Sequence, residues 1–257
     1  MKIVVVVRQL PDLIEPLEIA SSGAALELDG ARFIVNEYDD HALEQALLLK
    51  EKLGGTVTVV ALDFGDVDTT LYAAAAKGVE RIIKIPYEDP QPPAPKQAAR
   101  LFAQVIKPLE ADLVLAGVQS YDELEGHFSP LLALALNFPY LGLIRGVEAG
   151  DDGSTVRAYK EFPGAAKARM TVRLPALLGI LTASQPPRYV PISRIRAVMK
   201  TAKFDEYPAE IPSLEPFIQL RKLYPPEVSE RAQIIEGTTE EIAAKIAEIL
   251  EEKGILK

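Results

Sequence analysis

Four short apolar runs constrain this chain more than any other feature: Ile3 to Val7, Thr56 to Leu62, Arg81 to Ile85 and Leu113 to Ala116. Each is bounded by turn residues, and helical patterns lie between them. Continuous apolar strands alternating with helices predict an α/β protein with a mostly parallel, doubly wound sheet covered on both faces. The stretch Asp40 to Leu53 places Ala42, Ala46, Leu49 and Leu53 on one helical face, and Gly54-Gly55 ends it. A second helix is expected from Asp68 to Lys77, closing at Gly78. A third is expected from Lys96 to Ile106, after Pro90-Gln-Pro-Pro-Ala-Pro95.

From about residue 139 the pattern changes. Val156 to Tyr159 and Ala168 to Arg173 read as two β segments around Phe162-Pro-Gly164, followed by the buried run Leu174 to Ile180. After Ala183 the chain is proline-punctuated and irregular through to Pro226, without the periodicity of a second core. Such a segment is expected to lie against something rather than fold alone. Thr238-Thr-Glu-Glu241 then forms a capping box, with Ile242, Ile246, Ile249 and Leu250 as an apolar stripe. These signals divide the chain into an α/β domain, residues 1–183, and an extended arm ending in an amphipathic helix, residues 184–257.

Composition excludes several functions. A formal charge of -9 argues against general binding to nucleic acid or anionic membrane, which needs clustered Lys and Arg. With no cysteine, disulfides, thiolate nucleophiles and cysteine-metal sites are out, and two histidines, His41 and His127, are too few for a multi-histidine metal centre. Neither a P-loop, a GxGxxG motif nor a serine-histidine-acid order is present. Met1-Lys2-Ile3-Val4 leads straight into a strand, without the charged region and cleavage site of a signal peptide, so a cytoplasmic protein is expected.

Three stretches are candidates for binding. The first is 117–130, GVQSYDELEGHFSP, where a strand end, a turn and a helix start follow in the order that commonly cradles an anion. Gly126, His127 and Ser129 are its conventional anion donors. A bland reading competes equally: Asp122 and Glu125 fit a capping box that would take the same amides. The second is Val35-Asn-Glu-Tyr-Asp-Asp40, where Asn36 and Asp39 could meet a ribose or base edge. Asp39 or Asp40 could equally serve as an ordinary N-cap. The third is Arg8, at the carboxyl end of the first strand, placed to neutralise a phosphate or to sit at the surface, the surface option being somewhat favoured. His41 reads as an exposed first-turn residue.

Taken in order, these stretches resemble the β subunit of electron transfer flavoproteins. KIVVVVRQLPD, VNEYDDHALEQALLLKEKLGG, AAAAKGVERIIKI, DLVLAGVQSYD and VRLPALLGILTASQPPRY each have a counterpart in that family, as does the terminal TTEEIAAKIAEIL. The resemblance spans nearly the whole chain. It implies an adenine nucleotide alpha hydrolase-like fold and a heterodimer with an α subunit that holds the redox-active FAD. The pair would carry electrons from dehydrogenases, with no catalytic acid, base or nucleophile in the β chain.

The family's AMP contacts fall on Val6, on Asn36, Glu37, Tyr38 and Asp39, on Leu62 and on Asp122 to Ala133. Arg8, Gln119, Asp122, Glu125, Gly126, His127, Phe128 and Ser129 complete the candidate cofactor-binding set. A dehydrogenase-docking loop falls on Ser184 to Ala197, with Ile192 as apolar anchor and Arg188, Arg194 and Arg196 adding charge.

The nucleotide loop departs from both known forms of the family. Asp-Asp-Asp-x-Asn-Gln-Thr-Gly in the common form, and Asp-Gly-Asp-Thr-x-Gln-Val-Gly in the electron-bifurcating form, is here Asp122-Glu-Leu-Glu-Gly-His-Phe-Ser129. A carboxylate within ~4–6 Å of a phosphate repels it. AMP would then rely on backbone N–H groups and on His127. The missing Asp-Gly-Asp-Thr argues against a second FAD. The family's Gly-Gly-x-Glu segment is Pro163-Gly-Ala-Ala-Lys167. Alternatives carried forward are the bifurcating form, a nucleotide-free scaffold, and a homodimeric adenine-nucleotide sensor of the stress-protein type, which would need a glycine-rich phosphate loop near its end.

Overall fold

The computed structural model describes residues 1–123, 126–211, 213, 220–225, 232 and 234–256. Met1–Leu223 forms one compact unit and Tyr224–Lys257 a second.

The first unit is built in chain order from β1 (Lys2–Val7), β2 (Gln9–Pro11), β3 (Glu18–Ile19), β4 (Leu26–Glu27), β5 (Phe33–Val35), α1 (Glu37–Leu53), β6 (Thr56–Leu62), α2 (Val67–Lys77), β7 (Arg81–Ile85), α3 (Pro95–Ile106), β8 (Leu113–Gly117) and α4 (Phe128–Leu136). It continues with β9 (Tyr140–Ala149), β10 (Thr155–Glu161), β11 (Lys167–Arg173), β12 (Ala176–Thr182), α5 (Ile192–Val198) and β13 (Asp205–Glu206). Among the described residues the main sheet has nine strands in the order β11-β10-β9-β12-β8-β1-β6-β7-β13. Every pairing from β9 through β13 is parallel, and β9, β10 and β11 form an antiparallel extension. The mostly parallel, doubly wound α/β sheet expected from the apolar runs is therefore the fold.

The strands are apolar throughout because both faces are covered. Side chains alternate across a strand, so Ile3, Val5 and Val7 of β1 pack in one cluster with α1 and α2, while Val4 and Val6 pack in another with α3 and α4. Helix α2 ends at Gly78, which takes the left-handed conformation (φ 111°) and returns its N–H to Ala74 and Ala75.

Three features of the helices and strands differ from the sequence reading. Helix α1 starts at Glu37 with Asn36 as its N-cap, so neither Asp39 nor Asp40 caps it. Ala42, Ala46 and Leu49 are buried as expected, but Leu53, in the last turn, is 46% exposed. Beyond residue 183 the chain is not irregular throughout. It forms α5, which lies against α2, and β13, which extends the sheet beside β7.

The route from β12 to α5 is set by a polar file on α1. His41 Nδ1 accepts from the Ala183 amide (3.2 Å), Gln45 Oε1 from the Ser184 amide (3.0 Å), and Glu44 from the Arg188 amide (3.0 Å). These residues are spaced i, i+3, i+4 and share one helical face. His41 is thus a half-buried acceptor rather than an exposed first-turn residue.

In the second unit, α6 (Thr239–Glu252) opens on the expected capping box: Thr238 Oγ1 accepts from the Glu241 amide at 3.3 Å and Glu241 accepts from the Thr238 amide at 2.8 Å. No helix among the described residues is long and apolar enough to cross a membrane.

Candidate functional site

Strand β1 lies between β8 and β6, and the chain winds from β1 outward through β6 and β7 before returning to β8 on the other side. The carboxyl ends of β1 and β8 therefore flank the point where strand order reverses, which is where doubly wound sheets gather ligands. Arg8 follows β1 directly, Gly117 closes β8, and the first turn of α1 reaches over both.

Asp39 holds these two strand ends together. Its carboxylate is fully buried and accepts from the Arg8 amide (3.0 Å) and the Gly117 amide (2.6 Å). It also accepts from Arg8 Nε at 3.0 Å and Nη2 at 3.2 Å. Gly117 is required at this approach: a Cβ there would lie 2.5 Å from Asp39 Oδ1 and 2.6 Å from Tyr38 Cβ.

Arg8 is not at the surface. Its side chain is 14% exposed, and beyond Asp39 it donates from Nη1 to Glu123 (3.2 Å) and from Nη2 toward the Gly117 and Gln119 carbonyls, each at 3.4 Å. Its Cζ stands 4.5 Å from the Phe128 ring centroid. Burial opposes the charge, but the Asp39 and Glu123 carboxylates outweigh it and push Arg8 above the ordinary arginine range.

Glu123 bridges Arg8 to helix α4. One oxygen accepts from Arg8, and the other accepts from the backbone N–H of Phe128 at 2.5 Å. Phe128 is the first residue of α4, so this amide is one of those that a helix start leaves without an intrahelical partner. Burial pushes the Glu123 carboxyl above the usual carboxylate range, against the pull of Arg8 and the Phe128 amide, and Asp122 adds to the rise. The same environment reaches Tyr140 on β9, pushed up to about 12 by burial and then by the Glu123 charge.

Between these groups and the loop before α3 lies a cavity of about 250 Å³. Arg8, Gln9, Ser120, Asp122 and Glu123 form its polar side. Leu62, Phe64, Phe102, Phe128 and the segment Pro92-Pro-Ala-Pro95 form its apolar side.

Some of the residues expected to bind a cofactor meet at this cavity and others lie in the elements around it. Arg8, Leu62, Asp122 and Phe128 line the cavity. Asn36 is fully buried and donates from Nδ2 to the Gln119 carbonyl, next to the lining residue Ser120, at 2.9 Å. Ser129 Oγ donates to the Gly117 carbonyl at 2.8 Å. The Gly126 amide donates to the Glu123 carbonyl at 3.4 Å, and His127 takes the N-cap position of α4. Tyr38 packs its ring 6.0 Å from Tyr121, and Tyr121 donates to the exposed Glu37 carboxylate at 3.4 Å. Val6 is in the strand interior, its side chain among the core residues under α3 and α4.

The proposed capping role of Asp122 is corrected. It stands well before the first residue of α4 and instead accepts a hydrogen bond from Ser120 Oγ. Its expected partner Glu125 lies outside the described residues. The carboxylate on the helix start is Glu123, which the sequence reading covered only within the range Asp122 to Ala133 and never singled out; Phe64, Phe102 and the proline wall it passed over. The one signal for Glu123 was the acidic run itself, since nothing in the spacing selects it over its neighbours.

The docking residues lie elsewhere. Arg188 is tied down by Glu44 (2.8 Å) and Glu51 (2.7 Å), whereas Ile192, first residue of α5, is 64% exposed, and Arg194 and Arg196 are exposed on the same helix.

The fold and its crevice define a doubly wound α/β protein with a ligand-type site at the strand switch point. Residues 25–210 match the family described as the electron transfer flavoprotein domain. Over 263 residues the chain is 30% identical to the electron transfer flavoprotein subunit beta of Methylophilus methylotrophus, covering 98% of each. It is 27% identical to the subunit of that name from Bacillus subtilis, over 86% of this chain and 87% of the relative. The Homo sapiens subunit is 24% identical, over 97% and 98%. The chain belongs to the electron transfer flavoprotein family, on its β-subunit side, and its role is that of an electron transfer flavoprotein β chain.

Proposed function

We propose that the protein is the β subunit of a heterodimer whose α subunit holds FAD, and that the pair accepts electrons from dehydrogenases. The observation that carries this reading is likeness along the whole chain to β subunits, through residues 184–210 as well as the sheet. FAD supplies the electron-carrying chemistry when bound in the partner. This chain contributes surface and positioning: the sheet is a rigid base, the polar file of α1 fixes the segment leading to α5, and α5 presents Ile192, Arg194 and Arg196 to a dehydrogenase. No acid, base or nucleophile of this chain is needed for that work.

The test is to co-express the chain with an electron transfer flavoprotein α subunit from the same genome, purify the complex, and measure subunit ratio and flavin content. A one-to-one complex with FAD, reduced by a dehydrogenase of that genome, is expected. A chain that remains alone, or a complex without flavin, would overturn the proposal.

A further inference from the structure

The family resemblance implies AMP in the β subunit, and the residues at the crevice do not fit its phosphate. A phosphate at a strand switch point needs free N–H groups at a helix start and an uncommitted cation. Here the first amide of α4, on Phe128, already donates to Glu123. Arg8 already shares its guanidinium between Asp39 and Glu123. The Gly117 amide at the end of β8 is taken by Asp39. Asp122 adds a further carboxylate to the cavity wall. Among the described residues that line the cavity or bond Arg8, one cation, Arg8, stands beside three carboxylates, Asp39, Glu123 and Asp122, so an incoming dianion would meet net negative charge there, in a part-buried setting where screening is weak.

From this we infer that Glu123 is a built-in substitute for the nucleotide phosphate: its carboxylate bridges the α4 start and Arg8, and the β-chain crevice carries no nucleotide. The inference rests on the β-subunit reading only in identifying which ligand the crevice would otherwise take. The helix start and the arginine that a bound phosphate would tie together are tied together by the chain itself.

Two measurements decide it. Nucleotides released on denaturing the purified complex are quantified by chromatography and mass, and AMP binding to the intact complex is measured by equilibrium dialysis. The expected result is FAD without AMP in the native complex. Glu123→Ala, which frees the Phe128 amide and half-frees Arg8, is expected to bind AMP about tenfold tighter or more. Stoichiometric AMP or a second FAD in the native complex would overturn the inference, as would a folded Glu123→Ala variant that binds AMP no better than the native chain. If Glu123→Ala does not fold, Glu123→Gln keeps an acceptor for Phe128 while discarding the charge. Tighter AMP binding then supports the inference and unchanged binding overturns it. Flavin content reports separately on the electron-transfer reading, since a flavin-free complex fails that reading whatever the AMP result.

Discussion

At the residue scale, the site is an exercise in charge placement. Asp39 is fully buried and Glu123 nearly so, and Arg8 is the cation that contacts both. Removing one partner of a buried ion pair strands the other charge, which costs more than the pair itself contributes. Arg8→Met is therefore expected to destabilise the chain by about 3–5 kcal/mol in urea denaturation, and Arg8→Lys, which lacks the planar fork, to recover only part of it. Glu123 gives a pH signature of definite sign. Its folded-state pKa is raised above the ordinary 4.5. Its contribution is thus fully present below that value and is lost as pH rises through the folded value. The urea midpoint of the native chain relative to Glu123→Gln should fall across that interval. A difference that stays flat with pH would contradict the burial-driven rise. Arg8 shows how little of this was legible beforehand. An arginine after a strand reads as surface or as phosphate ligand, and nothing in the local sequence reveals that carboxylates 31 and 115 residues away will claim it.

At the element scale, α1 does two jobs with two faces. The apolar face, Ala42, Ala46 and Leu49, was legible because burial against a sheet imposes a 3.6-residue period. The polar face was not, because His41, Glu44 and Gln45 look like ordinary solvated residues until the chain at 183–188 is laid across them. Glu44 is 2% exposed and its pKa is held below the carboxylate range: burial pushes it up, and the hydrogen bonds and charge of Arg188 more than reverse that. Stability from a depressed carboxylate is present above its unfolded value and lost as pH falls through the folded one. Arg188→Ala should cost about 3 kcal/mol near neutral pH, the lower end for a buried pair because Arg188 is itself partly exposed. That cost should shrink as pH drops below the ordinary 4.5. Urea titrations of both proteins at several pH values check it.

At the scale of the whole molecule, the crevice and α5 are built from different residues of the first unit, so docking and crevice chemistry are expected to be separable. Ile192 is 64% exposed, with Tyr189 at 85% and Met199 at 50% close by in sequence. Exposed apolar side chains of this kind are what a docking anchor requires. Ile192→Glu is expected to leave thermal stability and flavin content of the complex unchanged while slowing flavin reduction by a dehydrogenase at least about tenfold, an energy on the order of 1.4 kcal/mol. Stopped-flow reduction at 0.05 and 0.15 M salt, roughly, would separate the apolar anchor from the charges of Arg194 and Arg196, since only the latter are screened. The sequence by itself determined the parallel sheet, helices α1 to α3 to within a few residues, and the capped final helix. Burial on both faces and the capping of free amides act over a few residues and leave a periodic or local mark. Only the tertiary structure decided that Arg8 is largely enclosed, that Glu123 rather than Asp122 holds the start of α4, and that β13 joins the sheet edge. Each of those depends on which distant groups the fold brings within hydrogen-bond reach, and hydrogen bonding at about 3 Å leaves no period in a sequence.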